Sequence, residues 1–410
     1  MKKIIALASV TVLLSLSAAR AENPEDLIRK GKVFGEVRYR YEKVDQANLA
    51  RTGIASTVRA DLGFETGVYY DFKALVDLQT VRHIGDDHFN DTVNGKGTYP
   101  TIADPENSEF NQLWVSWAGI PQTTVKIGRQ IINLDNQRFI GSVNWRQNDQ
   151  TFDAGMASFS PVKDMNLGYY YLWDVNRING KSNAIPQYDG DSHLFHADYK
   201  FADWLKAAGY GYLIDIDQTK TLSSQTFGAQ LTGTHPIDDQ WKFQYLAEYA
   251  HQSDYKDNPH NYSAAYFHLS PSVLWKNITL QAGFESLAGD GTDAFQTPLA
   301  TLHAFNGWAD KFLTTPANGL EDAYGRFSYK VSDVNQYVDG TVFDAVYHDY
   351  RAEKTSADYG SEWDLQLSKS FKTEGFVLKD WTVTAKYADY NAGTILTDTN
   401  KLWFMVDAKF

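Results

Sequence analysis

An odd-even segregation of side chains recurs from one end of this chain to the other. In residues 32–42, Val33, Gly35, Val37, Tyr39 and Tyr41 fall on one face, and Phe34, Glu36, Arg38, Arg40 and Glu42 on the other. Residues 57–65 set Val58, Ala60, Leu62 and Phe64 against Arg59, Asp61 and Glu65. Residues 70–79 set Phe72, Ala74, Val76 and Leu78 against Asp71, Lys73, Asp77 and Gln79. The last ten residues repeat the pattern, with Leu402, Phe404, Val406, Ala408 and Phe410 opposite Lys401, Trp403, Met405, Asp407 and Lys409. A period of two belongs to a β-strand, whose successive side chains point to opposite sides. Charges on every second residue need water or counter-charges on that face, while the other face asks for an apolar medium.

Similar strands are expected at 111–118, 124–131, 151–159, 165–173, 193–200, 205–214, 225–234 and 241–250. Six more follow at 263–269, 277–285, 323–331, 341–350, 361–369 and 381–390, which with the terminal one gives about eighteen. Through the first fourteen strands, the links after odd-numbered strands are the longer ones. Those after strands two, four, six and eight are tight, as at Gly67 and at Gly119-Ile120-Pro121. Short and long links at alternate ends predict an all-β fold: a transmembrane, antiparallel, up-and-down β-barrel with short periplasmic turns and long extracellular loops. A soluble sandwich would not produce this parity.

The chain's ends point the same way. Lys2 and Lys3, the apolar run Ile4 to Leu16, and Ala19-Arg20-Ala21 before Glu22 read as a signal peptide over 1–21, cleaved between Ala21 and Glu22. That run is too short for a spanning helix, which needs about 20 residues. Residues 22–31 are expected to be a short periplasmic segment and 32–410 the barrel. A terminal strand ending on Phe410 is similar to the C-terminal sorting signal read by the barrel-assembly machinery. Mean hydropathy of −0.43 argues against a helical membrane protein but not a barrel, which shows lipid only every second side chain. With no Cys there is no disulfide scaffold, so a closed sheet must supply stability. The net charge of −13 argues against a nucleic-acid partner. The partners implied are outer-membrane lipids and lipopolysaccharide outside, and small hydrophilic solutes or anionic saccharides inside. Nothing signals a cofactor. Gly85-Asp86-Asp87-His88 lacks a complete ligand spacing, so no metal site is assigned.

With the apolar rows toward lipid, Arg38, Arg40, Arg59, Lys73, Lys242, Arg326 and Lys386 face inward, as do Glu36, Asp61, Asp77, Asp198, Glu248, Glu285, Asp344 and Glu362. Both signs are present in similar number, and a barrel this wide should hold a water-filled channel. Arg129, Arg138 and Arg146 cluster around one external loop. Their guanidinium groups either favour anions near a constriction or brace the loop against Asp135, Asp149 and Asp153. Parity from Val125 and Ile127 would aim Arg129 at lipid, so a pore-lining role requires a bulge to turn it. The segment between Leu287 and Asp322 is too apolar to extend into water and should pack on the rim or fold into the mouth.

Gly128-Arg129-Gln130, Trp145-Arg146, Thr151-Phe152-Asp153, the 303–312 block, Tyr347-His348-Asp349-Tyr350 and Gly360-Ser361-Glu362-Trp363-Asp364 resemble the alginate-export family of outer-membrane porins. The likeness spans nearly the whole chain after the signal. It implies an eighteen-stranded monomeric barrel passing an anionic uronate polymer through an Arg-rich constriction. Arg129, Arg138 and Arg146 match arginines around that pore, and Asp344, His348, Glu362 and Asp364 match later lumenal blocks. The charge-balanced lumen departs from that strongly positive pattern. The expectation is therefore a porin in the outer membrane of a Gram-negative bacterium, passively conducting hydrophilic solutes, anionic or uronate-type ones among them. The alternatives are a dedicated exporter of an anionic polysaccharide such as alginate, a barrel enzyme, or a structural barrel. An enzyme is disfavoured because His196, His268 and His348 lack an evident nucleophile and acid to pair with.

Overall fold

A computed structural model describes residues 23–373 and 379–410; the expected signal and its Ala21/Glu22 cleavage site lie outside the described residues. A single turn of helix, α1 (Asp26–Arg29), precedes the sheet. The strands are β1 (Lys32–Gln46), β2 (Gly53–Glu65), β3 (Phe72–His88), β4 (Asn107–Trp117), β5 (Thr123–Gln130), β6 (Thr151–Phe159) and β7 (Met165–Asn176). They continue with β8 (Gln187–Ala202), β9 (Leu205–Ile214), β10 (Ser224–Pro236), β11 (Trp241–Asp254), β12 (Ser263–Leu269), β13 (Ser272–Trp275) and β14 (Ile278–Leu287). The last five are β15 (Leu320–Lys330), β16 (Val342–Arg351), β17 (Asp358–Lys372), β18 (Asp380–Ala392) and β19 (Thr399–Lys409).

Each neighbour pairs antiparallel with the next, and β1 pairs with β2 on one side and β19 on the other, so the sheet closes. Segments β12 and β13 are two pieces of one stave. Both lie between β11 and β14, and the break falls at Ser270-Pro271, where proline has no N–H to give the ladder. The wall therefore has eighteen staves, and each expected strand falls on one of them. The expected strands end early mainly at the long-loop rim: β3 continues to His88, and β8 begins at Gln187. There the wall stands above the hydrocarbon, and alternation is no longer imposed by lipid.

The faces follow parity. Leu62, Leu78, Leu113, Ile127, Phe227, Leu280 and Leu402 project outward and exposed, while Arg40, Glu42, Arg59, Asp61, Asp77 and Gln79 are buried inside. One sector differs. In β9, beyond Lys206 at its start, both rows carry only aromatic, aliphatic or small residues, and Tyr210, Tyr212 and Ile214 turn into the lumen. Trp241–Trp275, Phe371–Trp381 and Phe72–Trp117 form ring pairs close to the short-turn rim, where aromatic side chains suit the lipid–water boundary. Short turns such as 118–122, 203–204 and 276–277 lie at that rim, and the loops 89–106, 131–150 and 288–319 at the other. The parity of lengths ends at 331–341, a longer link at the short-turn rim.

Candidate functional site

Loops 131–150 and 288–319 fold inward and meet across the lumen. Gly141 N donates to the Leu299 carbonyl (2.9 Å), Thr301 N to that of Gln137 (3.0 Å), and the Gln150 side chain to that of Leu299 (3.0 Å). Their apolar residues explain the inward turn. Ile132, Phe139, Ile140, Phe295, Leu299 and Phe312 are buried in one cluster with the wall residues Tyr210, Tyr212 and Tyr266. Phe139 meets Tyr266 edge-on with ring centroids 5.3 Å apart. Non-polar area removed from water drives this docking at roughly 25 cal/mol per Å².

Charged wall residues also hold the loops. Arg138 is 2% exposed, and its Nε donates to Glu285 (2.7 Å) while Nη2 donates to Asn306 (3.1 Å), tying loop, wall and second loop together. Arg146 reaches Glu42 (3.2 Å) and Asp310 (3.1 Å). Asp310 also accepts from Lys401 (2.7 Å) and His303 Nδ1 (2.7 Å). Burial would raise the Asp310 carboxyl, yet Lys401, His303 and Arg146 outweigh it and hold the group well below the usual carboxylate range. The main-chain N–H groups of Trp308 and Ala309 donate to Asp364 (3.1 Å) and Glu362 (2.6 Å).

Below these loops, toward the short-turn rim, lies a vestibule of about 700 Å³. Lys200, Asp203 and Lys206 stand at its mouth, while His268, Tyr324, Arg326 and His348 line it from the wall. Phe305, Asn306 and Trp308 form its inner end. The lining carries Lys200, Lys206 and Arg326 against Asp203, Glu285 and Asp322, so it is balanced in charge.

The structure distributes the expected site residues unevenly. Arg326 and His348 line the vestibule, Arg326 paired with Asp344 (3.0 Å) and His348 with Asp322 (2.9 Å). Lys73 is a rim residue paired with Glu65. Arg38, Arg40 and Arg59 face inward but are covered by loops 131–150 and 89–106. Arg38 Nη1 donates to the Asn144 carbonyl (2.8 Å), Arg40 pairs with Asp104 (3.2 Å), and Arg59 pairs with Asp149 (3.0 Å). Asp344, Glu362 and Asp364 are buried acceptors rather than open pore surface.

Arg129 departs from the expectation. No bulge turns it: Gln130 pairs with Phe152, both are buried inside, and Ile127 is exposed outside. Arg129 therefore stays in the outward row, held by Asp153 through Nε (2.7 Å) and Nη2 (2.9 Å), with Glu109 at 3.9 Å. The braces expected at Asp135 and Asp149 exist but with other partners, since His196 takes Asp135 (2.8 Å) and Arg59 takes Asp149. Asp104 is not singled out by the sequence, and Trp145, His303 and Asp310 stand in it only within the resemblance blocks, without a role, because all four lie on aperiodic loops. Parity had turned Lys386 inward without marking it as a site.

A closed barrel, apolar outside, with a lumenal vestibule and constricting loops has the architecture of outer-membrane porins. The chain belongs to the alginate-export family, whose profile (Alginate export) matches residues 32–266. Among solved structures it is similar to OccAB2 of Acinetobacter baumannii, with TM-score 0.74, 16% identity, and coverage of 94% of this chain and 99% of that one. Two Pseudomonas aeruginosa structures are also similar. OpdK with vanillate gives TM-score 0.72, 13% identity and coverage of 93% and 99%; OpdQ gives 0.69, 15%, and 93% and 98%. No curated protein sequence matched. The protein's place is the outer membrane of a Gram-negative bacterium, in contact with its lipids.

Proposed function

We propose that the protein passes small hydrophilic solutes, with anions such as uronates favoured, from one rim to the other past the two inward loops. The observation that carries this reading is the vestibule, large enough for one small solute and ending on Phe305, Asn306 and Trp308. Arg326, 43% exposed, keeps donors available there beside Asp344, its one partner among the described residues. Export of a long polyanion is less well supported, because acidic groups match the basic ones along the lining. A structural barrel is favoured by the ion pairs that fill the constriction, and it differs in one measurable respect. Reconstituted in planar bilayers, the porin should conduct steadily and show an anion-selective reversal potential under a salt gradient. A folded preparation that never conducts would give the structural barrel the better claim.

An enzyme finds little support in the histidines. Among the described residues no Ser or Thr hydroxyl lies within hydrogen-bond distance of the His196, His268 or His348 rings: His348 meets Asp322 (2.9 Å), His196 meets Asp135 (2.8 Å) and His268 meets the Tyr324 hydroxyl (3.0 Å). We further infer export by residues 1–21, with 22–31 as a periplasmic lead; Gly67 N donates to the Leu27 carbonyl (2.8 Å), which docks α1 on the rim. Delivery to the barrel-assembly machinery through the strand ending at Phe410 agrees with the mutual backbone bonds of Phe410 and Gly35 (3.0 and 3.1 Å).

A further inference from the structure

Most cations at the constriction have carboxylate partners: Arg138 has Glu285, Arg146 has Glu42 and Asp310, and Lys401 has Asp310. Lys386, on β18, is different. It is 5% exposed, and among the described residues no carboxylate lies within ion-pair distance of it. Its ammonium instead lies 3.7 Å from the centre of the Trp308 ring, 4.0 Å from that of Trp145 and 5.6 Å from that of Trp403, and it meets His303 Nε2 at 2.8 Å. Trp145 comes from loop 131–150, Trp308 and His303 from loop 288–319, and Trp403 from β19. Trp145 and His303 are stacked at 3.9 Å with ring planes 3° apart, so both loops converge on this one wall cation.

Arg40 also lies over Trp145, 4.4 Å from its ring centre, and the main-chain N–H of Trp308 donates to Asp364 (3.1 Å), but the indole nitrogens add little. The Nε1 atoms of Trp145 and Trp403 are buried without a hydrogen-bond partner. Attraction between the ammonium and the ring faces therefore takes the place that ion pairs occupy at Arg138 and Arg146. Trp308 also lines the end of the vestibule, which makes it the partition between the vestibule and Lys386. A solute carboxylate or phosphate arriving there offers Lys386 a stronger partner than an aromatic face.

We propose that Lys386, clasped by Trp145, Trp308 and His303, is a catch that holds the Trp145 and Trp308 ends of the two inward loops to the wall, and that an anionic group of the solute releases it. The proposal rests on the porin reading. Released, Lys386 pairs with the anion, the two loops lose the anchor at Trp145 and Trp308 while the Arg138 and Arg146 ties remain, and that end of the constriction widens. A neutral solute of equal size has no such effect.

The test is single-channel recording of the full-length protein in planar bilayers, with glucuronate as probe and glucose as the neutral control. In the native protein, glucuronate should increase the time spent in the larger conductance state several-fold, and glucose should not. Lys386→Met should hold the larger state without glucuronate and lose the response to it. Trp308→Leu, which removes a ring face and leaves the wall untouched, should do the same if Lys386→Met fails to fold. Lys73→Met, at the rim, should behave like the native protein. A folded Lys386→Met or Trp308→Leu channel with native conductance and native response to glucuronate overturns the catch while leaving the porin reading intact. Absence of conductance in every variant, the native protein included, overturns both.

Discussion

Arg138 shows how a side chain read from sequence as a pore cation can become a structural tie. Its charge is compensated by Glu285, and Tyr266 and Asn306 complete the carboxylate's hydrogen bonds (2.7 and 2.6 Å). Removing one partner of such a buried pair leaves the other uncompensated, at a cost of about 3–5 kcal/mol. Arg138→Met should therefore lower the temperature at which the folded band is lost on gels. Adding Glu285→Gln should recover much of the loss, because the stranded charge is then gone. Arg129 gives the contrasting expectation. It lies outside the lumen with Asp153, so Arg129→Ala should leave the reversal potential unchanged, whereas a shift would place its charge on the ion path.

Among the elements, loop 288–319 most repays perturbation. Gly307 has φ of +85°, a conformation that side chains with a Cβ seldom adopt, and a methyl there would collide with the Tyr350 hydroxyl and the Glu362 carboxylate. Gly307→Ala should push the loop off β16 and β17 while the barrel stays closed. The expected outcome is larger single-channel conductance with unchanged heat-modifiability; native conductance would mean that the loop does not set the constriction. The inward turn of this loop was only half legible in the sequence. Its apolar content excluded free extension into water, but its docking surface could not be foreseen. That surface depends on Tyr210, Tyr212 and Tyr266, which come from two different staves and resemble ordinary strand aromatics when read in order.

For the whole molecule, closure and sidedness make the broadest expectation. Leu62 is 54% exposed on the outer wall, so Leu62→Lys sets a charge against hydrocarbon and should destabilise the barrel by about 2–4 kcal/mol if it sits at the bilayer midplane. Urea unfolding in lipid vesicles measures this, and an unchanged midpoint would contradict the assigned facing. The alternating pattern, read with the link lengths, determined an up-and-down barrel of about eighteen strands, the lipid-facing rows and the orientation of Arg40, Arg59 and Asp77, because a two-residue period is a local property that any stretch of strand displays. Tertiary structure alone decided which charges meet water and which meet each other. Arg146 with Glu42 and Asp310, or Lys386 within its ring of indoles, joins loop and wall residues far apart in the chain, and no local period encodes such contacts.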